Sequence, residues 1–155
     1  MVLFVGTPRP HKGLDIVTDA MRLLDSRFVL HVVGVSEPDE FRAEIDTTDI
    51  RVVTHPPTEI GILPELIAAG DAIALMQHLD DPISASQIPA KISDGLSMGC
   101  PVIVTDAPPL RDLQDHGLLR ADDAVQLAEH LEVLAAGESE VERRKRRDAF
   151  LGEFS

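Results

Sequence analysis

The 155-residue sequence has one cysteine, no tryptophan, no tyrosine and five phenylalanines. A single thiol, Cys100, forms no internal disulfide, and no cysteine cluster has zinc-ligand spacing, so neither a stapled scaffold nor a zinc module is encoded. With so few rings, the stacking platforms used by single-strand nucleic-acid binders are missing too. Cations are scarce: 14 Lys and Arg stand against 27 Asp and Glu, a formal net charge of −13. Such a surface repels DNA, RNA and anionic lipid, which excludes nucleic acid as an expected partner. No apolar run approaches the roughly 20 residues of a membrane span, and Met1–Gly6 lacks the basic flank and length of a signal peptide. A cytoplasmic location is the expectation.

What is present is a chain of one-domain length in which short apolar blocks alternate with polar segments. Val2-Leu3-Phe4-Val5 ends at Gly6, and Phe28 to Val33, interrupted only by His31, ends at Gly34. Unbroken runs of this kind suit strands buried on both faces of a parallel sheet. Ile50–Val53, Ala72–Met76 and Val102–Val104 read the same way. Between them the period becomes helical. Leu14, Val17, Met21 and Leu24 predict a helix over 13–24, and Ala124, Leu127, Ala128, Leu131, Leu134 and Ala135 predict one over 123–136. Ile88, Ile92 and Leu96 predict the inward face of a helix over 88–98, and shorter helices are expected near 38–45 and from Pro64 to Ala69. Alternating strands and helices imply an α/β fold, a Rossmann-like doubly wound parallel sheet of about six strands with helices on both faces. Ligands in such sheets bind at the carboxyl ends of the strands. The stretch 138–155 is expected to be a charged terminal helix whose Glu140 and Glu142 precede Arg144 and Arg146 by four residues; Arg143–Arg147 is read as a solvated face rather than a membrane contact.

Charge is unevenly placed. The first 14 residues carry Arg9, His11 and Lys12 and no acid, so the turn joining the first strand to the first helix invites an anion. Unpaired N–H groups at the helix start, with Arg9 and Lys12 beside them, would suit a diphosphate; the alternative is a tight turn with two solvated cations. His55 and His78 follow strands and could line a cleft, but no spacing suggests a metal site, and the chain has no Asp-x-Asp. Cys100, between Gly99 and Pro101, is expected to be buried and inert. No acidic pair follows the first strand, as a phosphoacceptor receiver would need, and the Gly-x-Gly-x-x-Gly and Walker fingerprints are absent.

Two blocks carry a resemblance: Phe4-Val5-Gly6-Thr7-Pro8-Arg9-Pro10-His11-Lys12-Gly13-Leu14, and Ser86-Gln87-Ile88-Pro89-Ala90-Lys91-Ile92-Ser93-Asp94 running on to Gly99-Cys100-Pro101-Val102-Ile103-Val104. Together they resemble the carboxyl-terminal, nucleotide-sugar-binding half of the two-domain GT-B retaining glycosyltransferases of group 1, a family-4-like type. The resemblance implies one half of a GT-B architecture. Residues 1–155 would be a single nucleotide-sugar-binding domain from a longer chain whose amino-terminal acceptor domain is missing here. It implies transfer from a UDP- or GDP-sugar with no cofactor or metal. The family's phosphate-binding lysine falls on Lys12, and its arginine on Thr7, so Arg9 would bend to that place; Arg9 and Lys12 are the candidate catalytic residues, stabilising charge on the leaving diphosphate. Gly6, Thr7 and Gly13 would shape that loop, and Gln87, Ile88, Pro89 and Lys91 would lie along the donor. Asp94 matches a ribose clamp, since an ionised carboxylate offers only acceptors to two adjacent hydroxyls. Pro57 and Thr58 match the base-binding loop. Ser86 stands where the family has a glutamate against the donor sugar; alternatively it caps the 88–98 helix. A non-catalytic sugar-nucleotide-binding or interaction domain of the same fold is the competing expectation.

Overall fold

The computed structural model describes residues 1–59 and 61–154, leaving aside the side chains at 112, 114 and 115. Six parallel strands form one sheet: β1 (Val2–Val5), β2 (Leu30–Val33), β3 (Val52–His55), β4 (Ala72–Leu75), β5 (Val102–Val104) and β6 (Leu118–Arg120), in the order β3-β2-β1-β4-β5-β6. The expected doubly wound sheet is therefore present, and strand order reverses between β1 and β4. Each central strand sends alternate residues into two separate cores. On one face Val2, Phe4, Leu30, Val32, Ala72 and Ala74 meet Leu14, Val17 and Met21 of α1 (Leu14–Arg22) and Leu127 and Leu131 of α6 (Ala124–Ala135). On the other, Leu3, Val5, Val33, Ile73 and Leu75 meet Ile67 of α3 (Leu63–Ala69), Ile92 and Leu96 of α5 (Ala90–Ser97), and Phe150 of α7 (Glu140–Phe154). Burial on both faces explains why these strands read as unbroken apolar runs. Two short helices complete the set, α2 (Pro38–Glu44) and α4 (Pro82–Ser86).

β1 pairs with β2 along its whole length, from Val2 with Leu30 to Val5 with Val33. With β4 the register joins Val2 to Ala72 and Leu3 to Ile73. Beyond those pairs β1 and β4 part, and a crevice opens at their carboxyl ends.

The structure corrects several expectations. β3 lies two residues later than the apolar run suggested, so His55 belongs to the strand. β6 has no apolar run to announce it. The helix expected over 88–98 is α5, which begins only at Ala90, leaving Ile88 51% exposed while Ile92 and Leu96 are fully buried; α4, ahead of it, is a separate short helix that the pattern did not announce. Ser86 is therefore not a cap. It closes α4, and its hydroxyl donates to the Pro82 carbonyl at 2.8 Å. Asp81 caps α4, its carboxylate accepting from the N–H groups of Ile83 and Ser84.

The terminal helix is not a freely solvated face. Arg143 donates to the Gly70 carbonyl at 2.9 Å, Arg146 donates to the Gly99 carbonyl at 2.9 Å and pairs with Glu138, and Phe150 is buried. Glu142 turns back to Ser139, whose N–H donates to its carboxylate at 2.8 Å, while Ser139 Oγ accepts from the Glu142 N–H, a capping box at the start of α7. Cys100 is buried as expected, and burial pushes its thiol up to about 12.

Two sets of substitutions test this packing in urea unfolding. At Gly13, where φ is +64° and an added Cβ would fall 1.3 Å from the Met76 carbonyl oxygen, Gly13→Ala should destabilise by more than the roughly 1–3 kcal/mol of backbone strain alone. Gly152→Ala, in an open helical position of α7, should stabilise by about 0.5–1 kcal/mol; equal effects at both sites would refute the close approach. Arg146→Ala leaves the half-hidden Glu138 carboxylate and the Gly99 carbonyl without their partner and should cost about 2–3 kcal/mol. The exposed Arg144→Ala should leave the midpoint unchanged.

Candidate functional site

The loop from β1 to α1 is built backwards from its glycines. Gly6, at φ +129°, leaves a space in which a Cβ would stand 3.2 Å from Lys12 Nζ. Pro10–Lys12 form one 3-10 turn, closed by the Lys12 N–H donating to the Arg9 carbonyl at 2.9 Å. Gly13 then takes a left-handed conformation and starts α1 with no side-chain cap. Only a residue without Cβ can do both here, because the Met76 backbone lies against it. The His11 carbonyl accepts from the His78 N–H at 3.0 Å and from Ser84 Oγ at 3.2 Å. His78 Nε2 in turn lies 2.8 Å from Asp15 Oδ1. The loops leaving β1 and β4 are thus bonded into one rim above the crevice.

A cavity of about 260 Å³ lies under that rim. Of the residues singled out in the sequence, Gly6, His11, Lys12, Gln87, Pro89 and Lys91 line it, joined by Gln77, which the sequence did not single out. Lys12 holds its proton less tightly than an ordinary lysine, first because burial penalises the ammonium and then because Arg9 adds like charge. Lys91 Nζ is 2.8 Å from Asp94 Oδ2 across one turn of α5. Among the described residues no carboxylate lines this cavity. In a chain of net charge −13, that is a local reversal of sign.

The other expected site residues stand apart from it. Arg9 opens on a larger groove of about 980 Å³, beside Asp80 and Asp81 and across from the His78–Asp15 pair. Thr7 is exposed, and Gly13 is buried below the rim. Pro57 and Thr58 follow β3, where Thr58 Oγ donates to the Pro56 carbonyl at 3.3 Å. Ile88 and Ser86 are exposed, and Asp94 is half-buried on α5. His31 and His55 face each other between β2 and β3, Nδ1 to Nε2 at 2.8 Å; burial, then His55, lowers the His31 pKa. Among the described residues no group of three His, Cys, Asp or Glu is placed to hold a metal ion, and no helix is long and apolar enough to cross a membrane. The rim itself was missed in the sequence, since the His78–Asp15 pair joins residues 63 positions apart. Only the meeting of β1 and β4 at the reversal of strand order could have signalled it.

Comparisons with known proteins bear on the fold and family. No curated protein matches the sequence. The catalytic domain of cholesterol-alpha-glucosyltransferase from Helicobacter pylori superposes with a TM-score of 0.72 at 14% identity, over 97% of this chain and 96% of that one. HepE of Anabaena in complex with UDP-glucose gives 0.72 at 19% identity, over 97% of this chain and 43% of its own. WaaG, a glycosyltransferase involved in lipopolysaccharide biosynthesis, gives 0.70 at 18% identity, over 100% of this chain and 43% of its own. The chain thus spans less than half the length of the latter two, and at these identities the likeness is one of fold. A family model described as glycosyl transferases group 1 matches residues 1–136, most of the length, and the chain accordingly belongs to the glycosyl transferases group 1 family.

Proposed function

We propose that this chain is the donor-binding domain of a retaining glycosyltransferase that takes a sugar from a UDP- or GDP-sugar without a metal ion. The observation that carries it is the Lys12 ammonium over Gly6, inside a cavity with no carboxylate on its wall, at the reversal of strand order. An anion there meets a partly desolvated cation. When the glycosidic bond to a nucleoside diphosphate breaks, charge grows on the bridging phosphate oxygen, and a fixed ammonium lowers that barrier. A protein cation in a wall without carboxylates supports metal-independent chemistry. UDP-glucose in the HepE complex supports a nucleotide sugar as donor. The retaining course, and an amino-terminal domain that supplies the acceptor, rest on the family resemblance.

Asp94 takes the ribose. Lys91 holds its Oδ2, which leaves Oδ1 as an acceptor for a sugar hydroxyl. Pro57 and Thr58 would border the base. A second reading, a domain that binds sugar nucleotides without transferring them, is favoured by one feature: Ser86 stands in the place of the family's glutamate, and its hydroxyl is turned into α4. Assay of transfer by the complete protein, with wild type against Ser86→Glu, separates the two; transfer by wild type removes the second.

Calorimetric titration of this chain in excess EDTA tests the diphosphate site. UDP or GDP should bind, and uridine or guanosine far more weakly; Lys12→Ala should lower diphosphate affinity about tenfold to a hundredfold, as for a charged hydrogen bond. Unchanged affinity in Lys12→Ala, or binding that vanishes with EDTA, would sink the assignment.

The lowered pKa of Lys12 gives a second, independent readout. A bound dianion favours the ammonium, so binding should draw in a proton at alkaline pH, and affinity should fall as pH rises through the depressed pKa. Binding heats in two buffers of different ionisation enthalpy would show the uptake in wild type and none in Lys12→Ala. For the ribose, Asp94→Asn should weaken a ribonucleotide more than its 2′-deoxy analogue, by roughly 1–3 kcal/mol; equal losses would leave Asp94 only its bond to Lys91.

A further inference from the structure

Resting on the diphosphate reading above, we propose that Lys91 is the second cation of that site, a place Arg9 does not fill, and that Asp94 is the positioning residue that holds Lys91 there. Lys12 reaches the cavity from the β1–α1 loop and Lys91 from the first turn of α5, so two cationic residues from different elements line one space of about 260 Å³. Arg9 belongs to the other side of the rim and lines the groove that also holds Asp80 and Asp81. Its charge reaches Lys12 only through the field, which solvent screens because Arg9 is exposed.

A lysine on four rotatable bonds does not hold a position unaided. Lys91 has one fixed contact, Asp94 Oδ2 at 2.8 Å, with side chains 29% and 41% exposed. That bond uses one of the three ammonium donors and leaves two for an anion. Asp94 does not line the cavity, so it orients the cation without placing a carboxylate against the phosphate. Two separated cations also fit a ligand with two phosphate groups better than one with a single phosphate. The site is therefore built for a diphosphate in preference to a monophosphate, and Lys91 carries that preference.

Titration of UDP, UMP and uridine, and of the guanosine series, against this chain in EDTA tests the proposal, with urea midpoints confirming that each variant is folded. Lys91→Gln should lower diphosphate affinity about tenfold or more, change nucleoside affinity less than twofold, and shrink the preference for diphosphate over monophosphate. Lys91→Arg should recover most of the loss, and Arg9→Gln should change diphosphate affinity less than threefold. The extra loss that Asp94→Asn causes for UDP over uridine in wild type should largely disappear in a Lys91→Gln background, because that part of its effect passes through the lysine, whereas its ribose contact is shared by nucleotide and nucleoside. Diphosphate affinity retained in Lys91→Gln while Lys12→Ala loses it would overturn the role of Lys91 and leave the site reading standing. An Arg9→Gln loss equal to that of Lys91→Gln would return the second cation to Arg9. Wild type that binds neither UDP nor GDP would remove both readings.

Discussion

The contact on which the carboxyl edge of the sheet depends is the approach of the α1 entry to the Met76 backbone. Because residue 13 carries no Cβ and sits at φ +64°, the chain can end a 3-10 turn, reverse, and open a helix directly against the strand-to-loop junction after β4. Everything that defines the crevice follows from that proximity. The His11 carbonyl comes within reach of two donors from the next loop, Asp15 comes within reach of His78, and Lys12 is directed over Gly6. A β-carbon at position 13 would push the two loops apart and break the His11 and Asp15 contacts together, since each of those is a bond between the loops rather than within one.

Electrostatics explains why this crevice differs from its surroundings. An acidic protein surface lowers the local concentration of anionic ligands, so an anion site in such a protein must be a reversal confined to a short distance. Here the reversal is produced by exclusion as much as by cations: the carboxylates nearest the rim, Asp15, Asp80 and Asp81, lie on the larger groove, while Lys12 and Lys91 lie on the small cavity. The rim separates two environments of opposite sign. Burial sharpens the contrast on the cavity side, as the depressed pKa of Lys12 records.

What the sequence disclosed is what is local. The two-face burial of Val2–Val5 and the helical period of Leu14, Val17 and Met21 are properties of a few consecutive residues, and both elements stand where the pattern placed them. Lys12 and Gly13 were legible for the same reason, being fixed between a strand and a helix. The period misled at 88–89, where Ile88 matched the Ile92–Leu96 spacing without sharing their helix, and it was silent over α4, whose five residues are too few to display one. Arg9 illustrates the harder limit: which cavity a cation in the β1–α1 loop faces is decided by the loop geometry, which residue type does not reveal. The docking of α7 was hidden likewise, since Arg143 and Arg146 find carbonyls 73 and 47 residues away. By contrast, the Ser139-x-x-Glu142 capping box was present in the sequence and signals the start of that helix.

The features that suit the crevice to the proposed diphosphate each carry a cost in the folded domain by themselves. A lysine loses hydration, like charges Arg9 and Lys12 stand near each other, and α1 begins without a side-chain cap. Two buried cores and the α7 clamp supply the stabilisation against which these costs are tolerated. An anion bound between Lys12 and Lys91 would relieve the first two directly, so binding and folding are linked: a ligand that prefers the native state stabilises it in proportion to the logarithm of its concentration over Kd. That linkage also accounts for the separation of tasks along the chain. Residues that hold the sheet, such as Leu3, Ile73 and Ile103, are fully buried and apolar, whereas Lys12 ends a 3-10 turn and Lys91 lies in the first turn of α5, where a charge can remain partly solvated.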